Sequence, residues 1–124
     1  MVHLYQMNPE YPLPVRFFRT ETGNEPVREW IRSLSEVEKR LIGLDIKTVQ
    51  FGWPLGMPLV RSLYPGIWEV RTKLENKTSR VLFIVFENQI ILLHGFIKKT
   101  RKTPKDDLNL AIRRMKQIRR LRCI

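Results

Sequence analysis

Cysteine, histidine and glycine are all scarce in this chain. The one cysteine, Cys123, leaves no internal disulfide and no all-cysteine metal site to be made. His3 and His94 are the only histidines, too few to complete a structural zinc site with it. Six glycines, none in a glycine-rich run, exclude a phosphate-cradling loop. Long hydrophobic runs are missing as well. The longest, Val81 to Phe96, is interrupted by Glu87, Asn88 and Gln89, and no signal peptide is visible. These absences lead to the expectation of a cytoplasmic protein without metal, cofactor or membrane partner.

Acidic residues are few: twelve, against 23 lysines and arginines, for a net charge of +11. The excess is localised. Residues 1–97 hold twelve basic and ten acidic side chains, whereas Lys98 to Arg122 hold eleven basic residues opposed only by Asp106 and Asp107. A basic segment so concentrated suits a polyanion: nucleic acid, an acidic protein or a membrane surface. The plainer reading is a solvated helix that aids solubility.

With 124 residues, 43% of them hydrophobic, the chain is sized for one domain with its own core. Residues 1–14, which include Pro9, Pro12 and Pro14, read as an irregular N-terminal arm, and 15–124 as a single domain. Val15 to Arg19 has the β-branched and aromatic content of a strand. Asn24 before Glu25-Pro26 reads as a helix cap, and Val27, Trp30, Ile31 and Leu34 fall on one helical face. Ser35 and Glu38 form a capping box for a second helix, whose apolar stripe reads as Val37, Leu41, Leu44, Thr48 and Phe51, ended by Gly52 and Pro54.

Beyond Gly52 the hydrophobic period falls to two. A short strand is expected over Leu59 to Tyr64. Ile67 to Leu74 alternates, with Trp68, Val70, Thr72 and Leu74 facing a core and Glu69, Arg71 and Lys73 on the other face. Glu75 to Ser79 reads as a polar hairpin loop, Arg80 to Phe86 as a central strand, and Gln89 to Ile97 as another. A basic loop, Lys98 to Lys102, leads to a helix opened by Thr103-Pro104, with Leu108, Ala111, Ile112, Met115 and Ile118 as its apolar stripe. The predicted fold is α+β: an N-terminal strand and αα-hairpin on a twisted, mainly antiparallel sheet, with a basic C-terminal helix.

Ser-His-Asp machinery and paired carboxylates are absent, and His94, inside an apolar strand, reads as a packed residue. The informative cluster is cationic. Arg71 and Lys73 lie on one strand, Arg80 opens the next as an exposed side chain outside the core, and Lys98 and Lys99 leave the last. So many cations need an anion, and a phosphodiester would serve. The alternative is a strand edge charged against aggregation. Cationic side chains can also support RNA cleavage by the RNA's own 2′-hydroxyl, which requires in-line positioning, charge stabilisation and proton movement.

Gly66-Ile67-Trp68-Glu69-Val70-Arg71, Arg80-Val81-Leu82-Phe83, Leu93-His94-Gly95-Phe96-Ile97-Lys98-Lys99-Thr100 and Lys102-Thr103-Pro104 together resemble the HigB-like toxins of the RelE/ParE superfamily, in its phage-derived-protein-like branch. The resemblance spans about Val15 to Ile118. It implies a toxin of a type II toxin–antitoxin system that enters the ribosomal A site and cleaves mRNA without a metal, and a cognate helix-turn-helix, HigA-like antitoxin. By this resemblance Arg71, Arg80, Lys98 and Lys73 are the expected catalytic residues, with Arg80 foremost and Lys98 or Lys99 as the match at the end of the last strand. Lys99, Arg101, Lys102, Arg113 and Arg114 are expected to bind RNA or the ribosome. The tyrosine that RelE carries on its C-terminal helix has no counterpart, so the general base stays open. The same fold serves ParE-like gyrase inhibitors, and a plain RNA- or DNA-binding module is a third possibility.

Overall fold

A capping box opens the longer helix of the αα-hairpin. In the computed structural model, which describes residues 12–98 and 104–121, Ser35 Oγ accepts from the Glu38 amide and the Glu38 carboxylate accepts from the Ser35 amide. These bonds satisfy backbone donors that the first helical turn cannot pair internally. In chain order the elements are β1 (Val15–Phe17), α1 (Pro26–Arg32), α2 (Glu36–Gly52), β2 (Val60–Tyr64), β3 (Ile67–Leu74), β4 (Lys77–Phe86), β5 (Gln89–Lys98) and α3 (Lys105–Leu121). The strands form one sheet in the order β1-β5-β4-β3-β2, antiparallel except for the parallel β1–β5 pair. The architecture is the expected α+β domain. Just before β1, Leu13 exchanges hydrogen bonds with Gln50 of α2, and the Pro14 carbonyl accepts from Ile90.

The two faces of the sheet are covered by different helices. On one, Val70, Val81, Phe83, Ile90 and Leu92 are buried with Val27 of α1 and Ile42, Ile46 and Val49 of α2. On the other, Ile67, Leu82, Ile84, Ile91 and Leu93 are buried with Ala111, Met115 and Ile118 of α3. Each fully buried aliphatic or aromatic side chain contributes about 1.5–3 kcal/mol relative to exposure, so both layers are needed.

Three local readings are corrected. The buried line of α2 is Ile42, Ile46 and Val49, while Val37 and Leu44 are more than half exposed. Just beyond the helix, Trp53 joins the same core, edge-on against Trp68 and Phe83, 5.1 and 5.5 Å between ring centres. Asn24 does not cap α1; Glu25 holds the N-cap position, and its carboxylate accepts from Arg28 Nε at 2.7 Å rather than from a backbone amide of the first turn. The Asn24 amide is instead 3.0 Å from Thr20 Oγ1, closing the preceding loop. The β3–β4 connection is only Glu75-Asn76, with Asn76 at φ 59°, and Lys77, Thr78 and Ser79 belong to β4. Asparagine tolerates this left-handed conformation better than most residues.

The short turn determines the register. Arg71 pairs with Arg80, Glu69 with Leu82, and Lys73 with Thr78. Across β4–β5, Arg80 pairs with Phe96, Leu82 with His94, and Thr78 with Lys98. Directly opposed residues share a face. The α3 face of the sheet therefore has an apolar half beneath the helix and a polar half beyond the helix's first turn.

Candidate functional site

Glu69 is the centre of the polar half. Its carboxylate is completely buried. Arg80 Nη1 lies 3.3 Å from both of its oxygens, Arg61 Nη2 3.5 Å from Oε1, and Arg71 Nε 4.0 Å from the same atom. Strand geometry produces this grouping. Arg61 on β2 is directly opposite Glu69, Arg71 is two residues along β3 on the same face, and Arg80 is diagonal to Glu69 on β4. Arg80 is 1% exposed, which corrects the expectation of an exposed side chain outside the core. Burying a guanidinium is tolerable only when a carboxylate meets it, and Glu69 is that carboxylate.

Part of the anion demanded by the cationic cluster is thus supplied by the protein itself. Among the described residues one carboxylate faces three guanidiniums, a surplus of positive charge. Arg61 and Arg71 stay about one-third exposed, so they can offer that charge outward. Arg80, held by two hydrogen bonds to Glu69, is the fixed member of the cluster, while Arg61 and Arg71 stand at ion-pair distance from the same carboxylate.

Lys73 is exposed, and Lys98 is partly exposed at the end of β5. Both occupy the next row of the grid, on either side of Thr78. The fold thus brings Arg71, Lys73, Arg80 and Lys98 onto one face. Lys99, Arg101 and Lys102 lie outside the described residues. On α3, Arg113 is exposed, but Arg114 is half-buried: its Nη1 donates to the Leu93 carbonyl at 2.7 Å, and its guanidinium lies 5.2 Å from the Phe18 ring centre. Desolvation, reinforced by neighbouring Arg113, holds the Arg114 pKa below its ordinary value. Arg114 therefore fastens α3 to the sheet.

His94 is not simply packed against backbone. Its Nε2 lies 2.6 Å from Asp107 Oδ1 in the first turn of α3, and its ring stacks on Phe96 at 5.4 Å. The pair anchors the end of α3 nearest the cationic face. Gly95, the next residue, faces the other way. A Cβ there would come within 2.4 Å of the Trp30 ring, so the strand backbone rests directly on α1.

Arg61 and the buried role of Glu69 were not singled out from the sequence. A signal existed in the register: once the β3–β4 loop is taken as two residues, Glu69 and Arg80 become diagonal neighbours.

The α+β fold thus carries, on one face of its sheet, guanidiniums grouped around a buried carboxylate. Residues 29–116, covering α2 through β5 and most of α3, match the family Phage derived protein Gp49-like (DUF891). The chain belongs to that family, which places it among toxin-like proteins of toxin–antitoxin systems. No curated protein matches the chain. No helix among the described residues is long and apolar enough to cross a membrane.

Proposed function

We propose that the chain is the toxin of a type II toxin–antitoxin pair and acts as an endoribonuclease on mRNA in the ribosomal A site. The observation that carries this reading is Glu69 buried beneath Arg61, Arg71 and Arg80, an arrangement that holds surplus positive charge at a sheet face. In the reaction an RNA 2′-hydroxyl attacks its adjacent phosphorus and the bond to the 5′-oxygen breaks. The products are a 2′,3′-cyclic phosphate and a 5′-hydroxyl. The attacking hydroxyl loses a proton and the leaving oxygen gains one. Arg71 and Lys98 contact the phosphate, Arg80 and Glu69 hold the cluster rigid, and Lys73 flanks the scissile nucleotide. Positioning and charge stabilisation together supply the rate. The basic face of α3, with Arg113, Lys116 and Arg120, meets ribosomal RNA, and the toxin is silenced by a helix-turn-helix antitoxin of the HigA-like kind.

Arg71→Ala tests the assignment. The side chain is 28% exposed, so its loss is expected to leave the fold intact. Removing a preorganised charged donor costs roughly 10²–10³ in rate. The measurement is primer extension on mRNA bound to translating ribosomes, with a thermal melt of the variant. Undiminished cleavage by Arg71→Ala would remove the phosphate role from this face.

A further inference from the structure

Beside the guanidinium cluster, where β3 runs past the end of β2, a recess of about 360 Å³ is lined by Asp45, Pro58, Leu59, Arg71, Lys73 and Thr78. Its volume falls within the range of small-molecule sites. Asp45 comes from the middle of α2, and Pro58 and Leu59 come from the loop before β2. The recess is fixed in place because the Leu59 carbonyl accepts from the Arg71 amide at 2.9 Å. Arg71 belongs to both places, with the Glu69 carboxylate 4.0 Å from its Nε and the recess beside it.

The chemistry of the lining is mixed. Pro58 and Leu59 provide apolar surface. Arg71 and Lys73 provide donors, and Thr78 a hydroxyl. Among the described residues Asp45 is the only carboxylate of the lining, and it makes no hydrogen bond or ion pair with any of them. A site for phosphate alone has no use for a carboxylate that, unlike Glu69, no guanidinium meets, because it repels an anion.

We propose that this recess is a base subsite that selects guanine, an inference that rests on the ribonuclease reading of the adjoining face. Guanine is the base that satisfies both signs of the lining. Its N1–H and N2–H₂ are parallel donors that match the two oxygens of one carboxylate. Its O6 and N7 are acceptors of the kind that arginine and lysine recognise. Uracil offers one donor between two carbonyls, and those carbonyls face the carboxylate unfavourably. Adenine and cytosine each pair one amino donor with a ring acceptor, which an ionised carboxylate cannot satisfy. An extruded base is held between apolar surfaces and read along its pairing edge. Pro58 and Leu59 supply the apolar surface, and Asp45 reads the edge. With the base in the recess, its ribose and phosphate lie toward Arg71 and the cationic grid.

The decisive experiment titrates the full chain with the 3′,5′-bisphosphates of guanosine, adenosine, cytidine and uridine, followed by calorimetry. The guanosine compound is expected to bind at least about tenfold tighter than the uridine compound, the discrimination of one good bidentate pair. Asp45→Asn, which removes no contact of the fold, is expected to keep its melting temperature and lose that preference. An amide presents one donor and one acceptor and so moves the preference toward adenosine. Equal affinities, no binding, or guanine preference unchanged in Asp45→Asn would each overturn the subsite. Mapping cleavage ends on ribosome-bound mRNA tests the parent reading separately. Cleavage with equal nucleotide affinities leaves the nuclease and removes the subsite. Guanine selection with no cleavage of any message leaves a guanine-nucleotide site and removes the nuclease.

Discussion

The two faces of the sheet are built from the same three central strands yet solve different problems. Against α1 and α2 the buried set is Val70, Val81, Phe83, Ile90 and Leu92, joined by the uncharged Thr72 and Ser79, so no ion is buried there. Against α3 the burial is split: Ile67, Leu82, Ile84, Ile91 and Leu93 lie under the helix, while Glu69 and Arg80 are buried as ions beside them. Area removed from water stabilises the first face and is insensitive to order among similar side chains. The ionic half of the second face stabilises little in net terms, because desolvation offsets attraction. Its return is geometry, since Arg80 is held in one place by Glu69. A small domain can thus give one face to stability and half of the other to a fixed ionic cluster.

The largest effect is expected from splitting the buried ion pair. Arg80→Met leaves the Glu69 carboxylate buried with the longer contacts to Arg61 and Arg71, at 3.5 and 4.0 Å. Removing one partner of a buried pair costs about 3–5 kcal/mol. Adding Glu69→Leu to Arg80→Met is expected to recover most of that loss, because an apolar pair of similar volume is often neutral or better. The other face offers no such rescue: Phe83→Ala costs about 3–5 kcal/mol through a cavity that no second truncation repairs. Chemical denaturation of these variants checks the contrast. Stability of Arg80→Met equal to wild type would mean that Glu69 does not depend on Arg80. The double variant is also expected to be stable and inactive on ribosome-bound mRNA.

A smaller effect is expected where the apolar face has no slack. Gly95→Ala would place a methyl group 2.4 Å from two carbons of the Trp30 ring. Overpacking of this sort costs about 1–3 kcal/mol. Trp30→Leu combined with Gly95→Ala is expected to be less destabilised than the sum of the two single changes, read from their denaturation midpoints. Strict additivity would show that the ring and the strand backbone are not in contact.

Much of this architecture was legible in residue order, for identifiable reasons. Ser35 and Glu38 specify a helix start through local hydrogen bonds, and both bonds form. The alternation in Ile67 to Leu74 and the stripe on α3 are single patterns on single elements. What was missed depends on partners distant in sequence. In α2 the apolar residues are spread around the helix, and the burial of Ile42, Ile46 and Val49 depends on the strand residues they meet. Arg80 reads as exposed because charged side chains usually are. Its burial follows from Glu69 on the neighbouring strand, through a register that the two-residue Glu75-Asn76 turn sets. Asp45 carries no motif; it lines the recess because α2 lies against β3.

The smallest effect lies at the edge of the apolar face, where α2 meets β4 through Glu38 and Lys77, 2.8 Å apart. The Glu38 pKa is lowered, first by the hydrogen bond from Lys77 and then by the Ser35 amide of the capping box. A carboxylate with a folded-state pKa below its unfolded value stabilises the fold fully above the unfolded pKa. That contribution disappears as pH falls through the lowered, folded-state value. The contact is therefore expected to help at neutral pH and to be absent in strong acid. Lys77→Met removes the leading cause of the shift and leaves the capping box. Its melting temperature is expected to lie slightly below wild type at pH 7, and the gap should close as the solution is acidified below the ordinary carboxylate range. Exposure and salt screening keep such a surface pair weak, far below the effect of splitting Glu69 from Arg80. A gap that widened on acidification would reverse the sign of this linkage and assign the stability of the α2–β4 contact to something other than the ionised Glu38.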